Sequence, residues 1–143
     1  MIYFFAALIL LGVLITIHEF GHFIMARFFN IYVQRFSIGM GPVIFQKEDN
    51  SGTEYAISAL PLGGYVAMLS EKALQEDNAL RDTLTKDQLN NTFESKPRWQ
   101  RALVMLAGPL ANFVLSIFIF FFIFSNSLER TFNLNVGEIT SAM

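Results

Sequence analysis

Two long apolar runs frame the chain, and a mixed, more polar stretch separates them. From Ile2 to Phe29 the only strongly polar residues are His18, Glu19, His22 and Arg27, and from Ala102 to Phe124 there is no charge at all. Each run exceeds the ~20 residues that cross a bilayer core of ~30 Å. The pattern therefore predicts transmembrane helices over 2–29 and 99–125. Between them, 31–69 reads as β: "IYVQRFSI" and "VIFQ" precede a turn at "DNSG", and "TEYAIS" follows it. Gly39, Gly41, Gly63 and Gly64, with Pro42 and Pro61, interrupt these strands and permit tight bends. Residues 70–98 are polar and rich in helix formers, and read as a solvated, partly helical linker. Within "PRWQR", residues 97–101, Trp99 and the arginines suit the headgroup level where the second helix begins. Residues 126–143 read as a tail. The expected fold class is a mainly α-helical membrane protein, its two transmembrane helices joined by a β-hairpin element and a polar linker.

Composition agrees with that class. Hydrophobic residues make up 53% of the 143 residues and charged residues 15%, with sixteen phenylalanines; a soluble domain carries about 25% charged residues. The first run opens "MIYFF" without a basic leader, and its apolar stretch outlasts a signal-peptide core of about 7–15 residues. A retained helix is expected. A net charge of −2 says little about nucleic acid, but no basic cluster suggests it as a partner, and the absence of cysteine leaves no thiolate or disulfide chemistry. Nine of the ten Lys and Arg residues lie between Arg27 and Arg101. The positive-inside rule then places the connecting loop, residues 30–98, in the cytoplasm and both ends outside.

His18, Glu19 and His22 form H-E-x-x-H. At ~100° per residue the two histidines fall ~40° apart on one helix face, about 6 Å along the axis, so both imidazoles can reach one metal ion. A zinc ion held by two histidines and a third ligand keeps a position for water and lowers its pKa toward ~7. Glu19, beside the same face, can take a proton from that water and pass it to a leaving amine. In a soluble helix this pattern is only moderately specific. In a membrane helix each ionisable residue near the centre costs roughly 2.5–3.5 kcal/mol, so three together call for a reason. Two structural readings compete: a helix end that reaches the interface near Arg27, or a buried polar network. On those readings the chain is a non-catalytic membrane binding module that uses the cluster for helix association. From Ile2 to His18 the helix rises ~24 Å, which puts the site in the cytoplasmic half of the bilayer. In the second helix Gly108 and Asn112 stand four residues apart on one face. They suit either close packing with one interhelical hydrogen bond or an amide aimed at the metal site.

With "HEFGH", "FSIGMGP", "GTEYAISALPLGGYVAML" and "AGPLANF", the chain resembles the site-2 protease family of intramembrane zinc metalloproteases. Its bacterial regulator-of-sigma-E branch is the nearest in motif, from about Gly12 to the C-terminus. The resemblance implies Zn2+ as cofactor, His18 and His22 as its ligands and Glu19 as the catalytic acid/base. It implies that Gly39, Met40 and Gly41, with Gly63, Gly64 and Tyr65 in "PLGGYV", belong to a membrane-reentrant β element that holds an unwound substrate by strand addition. It implies a bacterial inner-membrane enzyme that cleaves transmembrane segments of other proteins, such as an anti-sigma factor or remnant signal peptides. The family's third ligand, an aspartate in Leu-Asp-Gly on a later helix, has no counterpart in this sequence. The chain is thus expected to be an N-terminal piece of a longer protease, completed by a PDZ region and later helices, and to be inactive alone.

Overall fold

The computed structural model describes residues 1–141, with the side chains of Pro61 and of 128–141 left aside. The order is α1 (Ile2–Phe28), β1 (Val33–Glu48), β2 (Glu54–Met68), α2 (Glu71–Glu76), α3 (Asn78–Thr83), α4 (Lys86–Asn90) and α5 (Arg98–Ser141). Among the described residues, two segments are long and apolar enough to cross a membrane, Ile2–Phe28 and Arg98–Ser127. The protein is mostly helix, with the strands between those two segments. The chain divides into two compact units, Met1–Asn112 and Phe113 onward.

α1 is apolar around its circumference through its first four turns, and most of those side chains are exposed. A helix that is hydrophobic on all sides and packs little against protein is one suited to lipid. It ends in a Schellman motif. Asn30 takes a left-handed φ of 53°, its N–H donates to the Arg27 carbonyl, and the Ile31 N–H donates to the Ala26 carbonyl at 2.8 Å. Asparagine tolerates that backbone well, and the apolar pair that accompanies the motif is Ala26 and Ile31, both buried. This turn reverses the chain into β1.

β1 and β2 form a long antiparallel pair that folds over on itself. Val43, Phe45, Gln46, Lys47 and Glu48 face Ser58, Ile57, Ala56, Tyr55 and Glu54 across the tip. Further back, Arg35–Ile38 pairs antiparallel with 64–67, and also meets Glu54–Ile57 with both numbers rising together. That last stretch therefore runs parallel. The four short stretches lie in the order 64–68, 33–38, 54–58 and 43–48, and among the described residues both outer stretches are paired on one side only. The bends fall at the glycines: Gly39 and Gly63 have φ of 85° and 92°, a region that side chains with a Cβ resist.

The core of this unit gathers Phe23 and Ala26 from α1, Ile31, Val33 and Phe36 from the turn and β1, and Val104 from α5. The rings of Phe23 and Phe36 lie 5.0 Å apart, with Tyr55 edge-on to Phe23 at 5.8 Å. The linker joins this core, which its polar composition did not suggest. Its helices begin at side-chain caps from Ser70, Asp77 and Thr85, the last in a capping box with Gln88. Beyond them the chain returns to the sheet base. Tyr32 N–H donates to the Asn91 carbonyl, Leu69 N–H to Tyr32, and Phe93 N–H to Leu69, each at 2.8 Å. Leu69 and Thr92 are buried there. A few residues in a polar stretch suffice to dock it.

In the second unit, from Phe113, the apolar side chains described are exposed for the most part. Phe120 and Phe124 stack at 6.2 Å, and the Asn126 amide donates to the Phe122 carbonyl one turn back. Such internal satisfaction of a polar side chain suits a helix surrounded by lipid.

Candidate active site

The H-E-x-x-H side chains sit two thirds of the way along α1 and are part-buried. Helical spacing brings the His18 and His22 rings to 4.8 Å between centroids, nearly perpendicular. What they face is a gap in α5. A Cβ built on Gly108 would collide with His22 Nε2 and would lie 2.7 Å from His18 Nε2. Both Nε2 atoms therefore converge on one point, where α5 has no side chain.

The helices approach this closely because small residues meet on both sides. α5 presents Val104, Ala107 and Gly108 as its buried stripe, the i, i+3, i+4 spacing of a packed face. On α1, a Cβ at Gly21 would collide with the Ala107 carbonyl oxygen and would lie 2.8 Å from Ala111 Cβ. Small residues of this kind let membrane helices touch backbone to backbone.

His22 Nδ1 lies 2.7 Å from the Val104 carbonyl oxygen. A carbonyl only accepts, so Nδ1 is the donor, and in a neutral imidazole this leaves the Nε2 lone pair for a metal, the tautomer that a ligand needs. On the other side, the Asn112 amide lies 3.5 Å from His18 Nδ1. Two imidazoles with free, convergent Nε2 atoms fit a zinc ion. Among the described residues there is no group of three or more His, Cys, Asp and Glu that could hold a metal, so this chain presents a pair of donors and not a full set.

The strand residues singled out above lie in the folded-over sheet. Gly63 comes closest to α1: a Cβ there would lie 3.2 Å from Met40 Cε and 3.6 Å from Ile15 Cγ2, one turn before His18. Gly39 packs under the Leu60 carbonyl and Gly64 under that of Ser37. Gly41 bends the strand near Leu60 with φ 84°. Tyr65 is half-exposed, and its hydroxyl accepts a bond from Arg35, which also pairs with Glu54 at 2.6 Å.

Three features of the surroundings have no local signature in the sequence. One is the Val104 carbonyl, a backbone group that any residue would supply. The second is Gly21, which stands inside the motif at one of its variable positions. The third is the anchor at the far end of α1, where Arg27 donates to Ser51 and Thr53 and pairs with Asp49 at 3.1 Å. Partial burial pushes the Asp49 carboxyl up. The N–H bonds from Thr53 and Ser51 and the Arg27 charge outweigh that, holding it below its ordinary value. The turn at 49–53 is thus tied to the helix that carries the histidines.

The sequence profile of peptidase family M50 matches residues 6–141. The chain is 44% identical over 135 residues to the regulator of sigma-E protease RseP of Salmonella typhimurium, covering 94% of this chain and 28% of that protein. It is 44% identical over 117 residues to RseP of Escherichia coli, covering 82% of this chain and 24% of that protein. A Vibrio cholerae protein provisionally named a zinc metalloprotease is 37% identical over 137 residues, covering 96% of this chain and 28% of that protein. The chain thus spans less than a third of the length of these relatives. The profile covers nearly the whole chain and each relative exceeds 30% identity, so the chain belongs to peptidase family M50.

Proposed function

We propose that this chain supplies the H-E-x-x-H half-site of a zinc-dependent intramembrane endopeptidase of the bacterial inner membrane. The observation that carries the reading is the convergence of His18 Nε2 and His22 Nε2 on the bare Cα of Gly108, with His22 held in the ligand tautomer by Val104. His18 and His22 would hold the ion, with further protein ligands from outside this chain. When bound, zinc supplies Lewis acidity and makes a nearby water acidic.

Glu19 acts on protons. Its carboxylate takes one from the attacking water and delivers it to the amine that leaves when the peptide bond breaks, a role worth about 10²–10⁴ in rate. The sheet handles presentation. A peptide bond inside a helix is shielded, so the substrate helix must unwind. The outer stretch 64–68, paired on one side only, offers backbone groups to which an extended peptide can add. Gly39, Met40, Gly41, Gly63, Gly64 and Tyr65 shape that re-entrant element, and Asn112 steadies His18. The loop between the two spans lies in the cytoplasm, and the substrates are transmembrane segments, with a membrane-bound anti-sigma factor or remnant signal peptides as the class.

Metal analysis of the full-length protein with a cleavage assay tests this reading. Stoichiometric zinc, lost on His18→Ala or His22→Ala, and cleavage abolished by Glu19→Gln with zinc retained are the expected results. A full-length protein without zinc, or an active Glu19→Gln variant, would overturn it. This chain by itself is expected to bind zinc weakly and to cleave nothing, since catalytic zinc takes three protein ligands.

A further inference from the structure

We infer that the apolar cavity beside His22 is the pocket that receives a substrate side chain next to the scissile bond, and that Met105 and Phe93 set its size; the inference rests on the protease reading above. The cavity has a volume of about 330 Å³. Its walls are Val66 and Met68 from the outer strand, Val104 and Met105 from α5, and Phe93 from the end of the linker, with His22 and Ser70 as its polar margin.

Three observations point to a side chain as the occupant. The first is continuity with the metal site, because His22 is at once a wall of the cavity and one of the two convergent imidazoles. The second is the strand. Val66 and Met68 are two residues apart, hence on one face, and among the described residues their stretch pairs with 33–38 alone. A peptide added along the free edge of 64–68 also places every second side chain on one face. One of these would enter the cavity as its neighbouring peptide bond comes up to His22. The third is size and chemistry. Ligand pockets run from about 300 to 1,000 Å³, so this one suits a single side chain and not a helix. No Asp, Glu, Lys or Arg is among its lining residues, and an unpaired charge would be expensive there. The two methionines make its walls adaptable, so Leu, Met and Phe are admitted.

The linker enters the chemistry through this cavity. Phe93 is fixed by its N–H bond to Leu69, next to the buried Thr92, so a stretch with no metal ligand forms one wall of the pocket. Met105, 63% exposed, can be exchanged with little risk to the fold.

The experiment uses the full-length protein and a transmembrane substrate whose residues flanking the scissile bond are varied among Ala, Leu and Phe. The native protein is expected to prefer Leu to Ala by at least ~10-fold in kcat/KM, the value of a filled apolar pocket. Met105→Phe should swing that ratio about 10-fold toward Ala, and Phe93→Ala should swing the Phe-to-Leu ratio about 10-fold toward Phe. In a Glu19→Gln background, a photoreactive residue at position 105 should cross-link to the substrate next to the cleavage position. If both variants leave the ratios unchanged, or slow all substrates equally, and no cross-link forms, the pocket assignment is overturned while the protease reading stands. If the cross-link forms but Glu19→Gln still cleaves, the catalytic reading falls and the pocket remains.

Discussion

The two helices at the candidate site contribute in opposite ways. α1 adds groups: two imidazoles and a carboxylate from one stretch of sequence. α5 withholds them, since at Gly108 there is no side chain where both Nε2 atoms converge, and Val104 acts through its main-chain carbonyl. A metal half-site needs a space and a tautomer as much as it needs ligands. The space and the tautomer come from residues without reactive side chains.

The largest expected effect lies on the contributing side. Glu19→Gln should lower cleavage by the full-length protein at least ~100-fold with zinc content intact, because a proton carrier is lost and no ligand is. On the withholding side, Gly108→Ala pits two effects against each other. Helix propensity alone favours alanine by about 1 kcal/mol, yet the new Cβ meets both imidazoles. The clash should win: zinc occupancy, measured by metal analysis, is expected to fall well below one per protein. Full zinc occupancy in the Gly108→Ala protein would show that α5 is no more than a neighbour, and the contrast would collapse.

Smaller effects test whether the contrast extends beyond the site. Asp49→Asn weakens the tie between the 49–53 turn and Arg27. It should lower the unfolding midpoint by a few degrees, about 1 kcal/mol, with zinc binding less affected than in Gly108→Ala. The pH dependence follows from the lowered Asp49 value. Its contribution is present above the ordinary carboxyl pKa of 3.8 and is lost as pH falls through the lower native value. Thermal melts should therefore separate the native protein from the Asp49→Asn variant at neutral pH and bring the two together in acid. Lys72→Ala, which removes an exposed pair with Glu76 at 3.6 Å, should change stability by no more than ~0.5 kcal/mol in the same melts.

What the sequence determined by itself was local. Hydropathy over 2–29 and 99–125 announces two segments long enough to span a bilayer, because an apolar run needs no partner to be recognised. His18, Glu19 and His22 announce their face because helical periodicity is a property of neighbours four residues apart. Other features needed distant residues to meet, and no local pattern records that meeting. Leu69, Tyr32, Asn91 and Phe93 form one ladder from three separated stretches, so a linker that is polar by composition became part of the core and a wall of the cavity. The parallel contact of Arg35–Ile38 with Glu54–Ile57 required the hairpin to fold over at its glycines. Gly108 could be read in the sequence as a site of close packing, but what packs there could not. A missing Cβ matters only when something else occupies the place, and tertiary packing alone brought the two imidazoles there.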